Sequence, residues 1–292
     1  MTNNCKICQK NSVKIFSAKI LNKYDVDYYH CQNCNFIQTQ EPYWLAEAYS
    51  SAIAATDTGL MKRNEVLRDQ ASVVLFYLFN KDACFLDYAG GYGIFVRMMR
   101  DLGFNFFWED KHCQNLLAKG FESSDNKSAK YEVVTSFESF EHFVDPMTEI
   151  EEMLKRTDNI LFTTALIPCD KLPEKDWWYY SRDSGQHIIF YSVKTFSVIA
   201  QKFGLEFYTN GFLHLLCKKK PRLQSANPSI LISLAKYRAL KYIHKLIGKN
   251  KKFSNNGLFY EILKIKGLDK KIPKFMRSKT ESDCVYIQNN LQ

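Results

Sequence analysis

The sequence lacks any apolar run approaching the ~18 residues that span a bilayer. Its first residues, Met1-Thr2-Asn3-Asn4-Cys5-Lys6, lack the apolar stretch of a secretion signal. Both absences predict a cytoplasmic protein. No internal repeat, low-complexity segment or RNA-reading motif is present. Positive charge is also missing from most of the chain. Residues 1–217 hold 22 Lys/Arg against 27 Asp/Glu, a net of −5, whereas residues 218–292 hold 18 Lys/Arg against four acids, a net of +14. The overall charge of +9 therefore belongs to the tail, and a body that gripped nucleic acid would be expected to carry its own basic patch. The nine cysteines are an odd number without a secretion signal, which argues against a disulfide framework and for reduced thiols and metal ligands.

What is present is ample for a core: 292 residues, 46% hydrophobic and 15% aromatic, accommodate one full α/β domain with appendages. Cys5-x-x-Cys8 and Cys31-x-x-Cys34 flank two apolar-aromatic runs, residues 13–21 and 26–30, with the turn Asn22-Lys23-Tyr24-Asp25 between them. Two such knuckles joined by a hairpin read as a zinc ribbon. Four thiolates complete a tetrahedral Zn²⁺ sphere, so His30 is a spare donor, the zinc is structural, and a ribbon of about 35 residues has too little core to fold without it. The 22 residues between the pairs lie just outside the commonest spacing.

Residues 84–93, Cys-Phe-Leu-Asp-Tyr-Ala-Gly-Gly-Tyr-Gly, run from an apolar strand through Asp87 into a glycine-dense turn, and an apolar helix begins at Ile94. Strand, glycine turn and helix form the ligand-cradling corner of an open α/β sheet. Val96 occupies the place where a dinucleotide fingerprint requires its third glycine, so a pyrophosphate is disfavoured. Asp-x-Ala-x-Gly-x-Gly resembles the first motif of class I S-adenosylmethionine (SAM)-dependent methyltransferases, with Ala89 in place of the first glycine. The resemblance implies SAM as cofactor, held by Asp87, Ala89, Gly90, Gly91, Gly93 and Phe137, with a ribose-binding acid ending the next strand. Residues 104–108 read as that strand, and Asp110 is favoured over Glu109 as the acid.

The implied fold is α/β: a Rossmann-like, seven-stranded class I methyltransferase sheet with an N-terminal zinc ribbon and a basic helical C-terminal extension. Expected boundaries are a ribbon at 1–42, a helical connector at 43–80, the SAM-binding domain at 81–220 and the extension at 221–292. Helices are predicted at 43–49, 64–79, 113–119 and 194–203. Asp57-Thr58-Gly59 with Arg63-Asn64 begins a helix with polar groups near the expected cofactor side, and an ordinary N-cap is favoured over a contact. Asn210-Gly211 between apolar-aromatic runs is a strong hairpin signal, where the family places its antiparallel last pair of strands. In the tail, residues 230–247 are a basic amphipathic stretch, which either lies on an anionic membrane surface, placing the protein peripherally at the inner membrane, or packs on the core.

Two segments are candidates for the chemistry. Phe137-Glu138-Ser139-Phe140-Glu141-His142 follows the fourth strand, and its Glu-x-x-Glu-His resembles a segment of ubiquinone-biosynthesis O-methyltransferases associated with a divalent cation. Cation binding, a role near the substrate, and plain helix capping all remain open for Glu141 and His142. After the fifth strand come Trp177-Trp178-Tyr179-Tyr180 and Gly185-Gln186-His187. The aromatics suit stacking on a sugar or base, or closing a lid, and His187 is the candidate proton acceptor, imidazole being the side chain that exchanges protons near neutrality. Ribbon, core and Gly-Gln-His-x-x-Phe-Tyr together resemble methyltransferases of nucleotide-sugar and polysaccharide biosynthesis over about residues 5–217. The resemblance implies a sugar, nucleotide-sugar or related acceptor. Two alternatives stand beside it: an RNA methyltransferase using the ribbon and tail, and a degenerate SAM-binding scaffold, suggested by Ala89. The sequence does not give the oligomeric state.

Overall fold

The structure is a computed structural model that describes residues 3–50, 57–126, 130–168, 171–224, 235, 257–265, 267–274 and 276–290. Its strands fall into two sheets. The first is antiparallel, in the order β1 (Asn3–Asn4), β2 (Asn11–Ile20), β3 (Tyr24–Cys31), β4 (Phe36–Thr39) and β9 (Ile189–Phe190). The expected ribbon hairpin is β2 and β3, interrupted by a bulge between Lys14 and Phe16. Its cysteine knuckles are alike in build. Gln9 N–H donates to Cys5 O at 2.9 Å and Asn35 N–H donates to Cys31 O at 2.8 Å. Gln9 and Asn35 are left-handed, with φ +62° and +58°, which turns the chain back beneath the sulfurs.

The ribbon is fastened to the rest of the chain by β4 and β9, where Ile37 pairs with Phe190 and Gln38 with Ile189. Further bonds cross the same seam: Thr39 N–H to Ile188 O at 2.9 Å, Leu21 N–H to Arg182 O at 2.9 Å and Trp44 Nε1–H to Gly185 O at 2.8 Å. The loop that carries His187 is thus laced to the ribbon sheet.

The second sheet runs β10 (Glu206–Thr209), β11 (Leu213–Cys217), β8 (Asn159–Thr163), β7 (Val133–Phe137), β5 (Cys84–Tyr88) and β6 (Asn105–Glu109). Its central strands are parallel, and β11 and β10 are antiparallel. The Asn210-Gly211 turn joins β10 to β11 as expected: Asn210 Oδ1 accepts from the amides of Phe212 and Leu213, and Gly211 has φ +94°. Seven strands were expected, and six are present among the described residues. Beyond β6 the seventh position is reduced to one parallel bridge between Trp108 and Glu122. Polar turn bonds account for the loss, since Glu122 and Asp125 cap one another and Asn115 holds Glu122 at 2.7 Å. The same bonds replace the helix predicted at 113–119. Leu116 and Leu117 donate instead to Tyr92 O, and Asn115 Oδ1 accepts from Ala118 N–H.

Helices α2 (Leu60–Leu78), α3 (Ile94–Asp101), α4 (Pro146–Leu154) and α5 (Val193–Phe203) accompany this sheet, and α1 (Leu45–Ala48) is a single turn after the ribbon. Two tail helices pack against them. Helix α6 (Gly257–Lys264) buries Phe259 and Ile262 in the same apolar cluster as α2 and Tyr208. Helix α7 (Thr280–Asn290) inserts Asp283 against Arg100 of α3, where the buried carboxylate takes Nε–H and an Nη–H, each at 2.7 Å. The amphipathic stretch 230–247 lies, except for Ala235, outside the described residues. Among the described residues no helix is long and apolar enough to cross a membrane.

Candidate active site

The carboxyl ends of β5, β6 and β7 open into a cavity of about 690 Å³, within the usual range for small-molecule sites. Its first end is the glycine turn. Ala89 is left-handed at φ +57°, a conformation that the missing glycine would adopt freely and that alanine adopts under strain. Gly90 must be glycine, because a Cβ there would lie 2.9 Å from Asp87 Oδ2 and 3.0 Å from Trp108 Cδ1. Gly91 has φ +55° and lies open. Gly93, expected at the cofactor, does not line the cavity. It starts α3 at φ +84° and sits against Ala118 and Asn115.

Asp110 faces this turn: its Oδ2 accepts from Gly91 N–H at 2.9 Å, and its Oδ1 accepts from the amides of His112 and Cys113 at 2.7 Å. Glu109, the alternative acid, is engaged by Arg156 and by the Ser123 hydroxyl. Asp87 is buried and accepts from Thr135 Oγ1–H at 2.6 Å. Burial pushes its carboxyl up to about 7, opposed by the Thr135 bond and helped by the Asp110 charge. Phe137, at the end of β7, lies edge-on to Phe95 at 4.8 Å, and both line the cavity.

The other end is built from segments far apart in sequence. The turn Phe140–His142 carries Glu141 and His142, and Ile188 N–H donates to Glu141 O at 2.9 Å, which brings the loop of His187 beside it. Ligand-type atoms of Glu141, His142 and His187 lie within 4.8 Å of one another. His187 Nδ1–H donates to Tyr179 O at 2.7 Å, which fixes the tautomer and leaves Nε2 with a lone pair. His142 shares a 2.9 Å bond between its Nδ1 and the Tyr49 hydroxyl, and desolvation, with His187 nearby, holds it well below the usual imidazole range. Glu141 is fully buried, and neither of its oxygens has a partner at ordinary hydrogen-bond distance, the Tyr179 hydroxyl interacting with it only weakly. Desolvation and the Glu141 charge push Glu138 up to about 7.

Asp57 and Arg63, for which a cap is the favoured expectation, line the cavity as an ion pair instead. Asp57 does not cap α2. It forms a two-bond pair with Arg63, at 2.8 and 2.6 Å. Of the four consecutive aromatics, Trp178, 76% exposed, and buried Tyr179 line the cavity, while Trp177 and Tyr180 pack against Phe190. A helical reading of residues 57–64 cannot show which way a paired Asp and Arg will face.

The four ribbon cysteines form a separate cluster. Cys5 Sγ and Cys34 Sγ are 3.5 Å apart, Cys8 Sγ and Cys31 Sγ are 3.4 Å apart, and all four lie within 4.8 Å. The Cys34 thiol draws Cys5 down to about 5, while Cys34 itself is pushed up, chiefly by its bond to Cys5. These separations are too long for disulfides and close to the ~3.8 Å edges of a tetrahedron with ~2.3 Å metal–sulfur bonds.

A glycine turn with its facing acid, at the strand ends of a mostly parallel sheet, stands where open α/β sheets hold small ligands. Residues 62–210 match the family model of a methyltransferase domain; the chain belongs to that family and is a SAM-dependent methyltransferase. No curated protein matches the chain. Among solved structures it is similar to OxaC, solved with sinefungin and meleagrin, at 15% identity over 47% of this chain and 42% of that one, with a TM-score of 0.36. The chain thus spans less than half the length of OxaC. It is similar to magnesium protoporphyrin IX methyltransferase from Synechocystis at 12% identity, over 63% of this chain and 96% of that one, with a TM-score of 0.36. It is similar to human N-acetylserotonin methyltransferase, solved with SAM, at 13% identity, over 61% and 66%, with a TM-score of 0.37.

Proposed function

We propose that this methyltransferase moves the methyl group of SAM onto a small, sugar-like acceptor. The observation that carries the reading is one cavity running from the Asp110-facing glycine turn to the Glu141–His142–His187 cluster, with Trp178 and Tyr179 beside it. The sulfonium supplies the leaving group, so the protein's work is to align the acceptor and relieve it of its proton. Asp110 holds the ribose, Asp87 and residues 89–91 cradle the remainder of the cofactor, and the cluster activates the acceptor. Sugar rings stack their apolar faces on aromatic side chains and donate hydroxyls to carboxylates, and both kinds of group are here. The lining cations Arg63 and Lys111 are already paired, with Asp57 and Glu149, which favours an unphosphorylated acceptor over a nucleotide sugar or RNA. Ala89 takes up the left-handed angle, so the turn keeps its shape and the scaffold reading loses its motive.

Cys5, Cys8, Cys31 and Cys34 fit Zn²⁺, which would be structural: four sulfurs leave no open position for substrate. Calorimetry with SAM, followed by mass spectrometry of the acceptor that takes the methyl, tests the proposal. Absence of SAM binding would sink it entirely. Methyl transfer only to RNA would overturn the acceptor assignment.

A further inference from the structure

We infer that Glu141, His142 and His187 form a second metal site, for a first-row divalent transition-metal ion, at the acceptor end of the cavity. The site is separate from the ribbon cysteines, and it stands whether or not the acceptor is a sugar. The first observation is geometric. Three donors from two segments, separated by 44 residues between His142 and His187, converge within 4.8 Å. Convergence is enforced by the backbone bond from Ile188 to Glu141 and by the imidazoles meeting edge-on at 5.0 Å.

The second observation is independent. Glu141 is 0% exposed and lines the cavity, and neither carboxylate oxygen has a partner at ordinary hydrogen-bond distance; the Tyr179 hydroxyl, which shares a 3.1 Å bond with Thr164 Oγ1, interacts with it only weakly. A carboxylate removed from water without compensation is strongly unfavourable, and a cation in front of it is the direct remedy. Arg63, whose charge is felt at Glu141, does not provide this: it is bonded to Asp57 and approaches Glu138, at 3.9 Å.

The outer bonds suit the role. Ligating histidines typically donate their other ring N–H to a carbonyl or carboxylate, and His187 does so to Tyr179 O. Two imidazoles and one carboxylate select a transition-metal ion over Mg²⁺ or Ca²⁺, which prefer oxygen donors, and three protein ligands leave coordination positions for an acceptor atom. A bound cation occupies the His187 Nε2 lone pair, so the acceptor is then activated by polarisation rather than by direct proton transfer to that imidazole.

The full chain titrated with Co²⁺ tests this. Two equivalents are expected: one with the strong thiolate-to-metal charge-transfer band of the ribbon, and a second with only weak d–d bands. Glu141→Gln and His187→Gln should each abolish the second equivalent and keep the first, with SAM binding retained as evidence of folding. One equivalent, or a second insensitive to both substitutions, overturns the site. If the second equivalent is absent while Glu141→Gln still stops methyl transfer, the cluster holds the acceptor directly, and the proposed function survives without the metal.

Discussion

The two ends of the cavity are built on different principles. The proposed cofactor end grows from adjacent parts of one parallel sheet, where Asp87, the turn and Asp110 lie within 24 residues and the Asp110 carboxylate accepts from the Gly91 amide of the turn. The proposed acceptor end is assembled across the molecule: the turn after β7 supplies Glu141 and His142, the connector supplies Tyr49 and Arg63, and a loop laced to the ribbon supplies His187. The ribbon's second knuckle reaches the same neighbourhood, because Cys34 O accepts from Thr195 Oγ1–H at 2.9 Å at the start of α5. One end is local and rigid, and the other depends on long-range docking.

Removing the zinc proposed for the four cysteines is the harshest test of this contrast. Structural zinc contributes about 10–16 kcal/mol to small zinc domains, so a strong chelator should abolish methyl transfer and raise hydrogen exchange at β4 and β9. Calorimetry should show SAM affinity largely preserved, and an equal loss of both functions would erase the distinction. Asp283→Ala strikes the opposite side. It strands buried Arg100 and should cost about 3–5 kcal/mol in denaturant unfolding, with the cysteine cluster intact. An unchanged midpoint would mean that α7 contributes no anchoring.

Two substitutions separate the ends directly. His187→Ala should lower turnover by about 10²–10⁴ with SAM affinity unchanged. Asp110→Ala should weaken SAM by about 1.5–3 kcal/mol, roughly ten- to a hundredfold. Exchange of the two phenotypes would reverse the assignment of the ends.

Asp87 gives a pH signature confined to the cofactor end. Its carboxyl rises from the ordinary 3.8 to about 7 on folding, so the folded state holds this proton more tightly, and stability is lost as pH rises between those values and is flat above them. Asp87→Asn should remove that loss. Affinity for cationic SAM should fall as pH drops below about 7 in the wild type only, because the attracting charge disappears. The smallest effect is Ala89→Gly, which relieves the left-handed strain and should stabilise by about 1 kcal/mol, with thermal denaturation as the measure.

Features set by neighbours in the chain were legible. The Cys-x-x-Cys pairs, the Asp87 turn and the Asn210-Gly211 hairpin all depend on spacings of a few residues. Local reading failed where polar side chains competed with helix formation. Asn115 and Glu122 captured backbone amides, so neither a helix at 113–119 nor a full edge strand formed. Glu141, His142 and His187 could be nominated singly as chemically capable residues. Nothing in their spacing said that they touch, or that Asp57 would turn from a cap into the partner of Arg63.

By itself the sequence determined the cofactor turn and the thiol set, because glycine's conformational freedom and sulfur's metal chemistry act over a few residues. Tertiary structure alone decided the acceptor end. β9 joined the ribbon's edge and Ile188 bonded to Glu141, and these long-range pairings bring two imidazoles edge-on with the buried Glu141 carboxylate beside them.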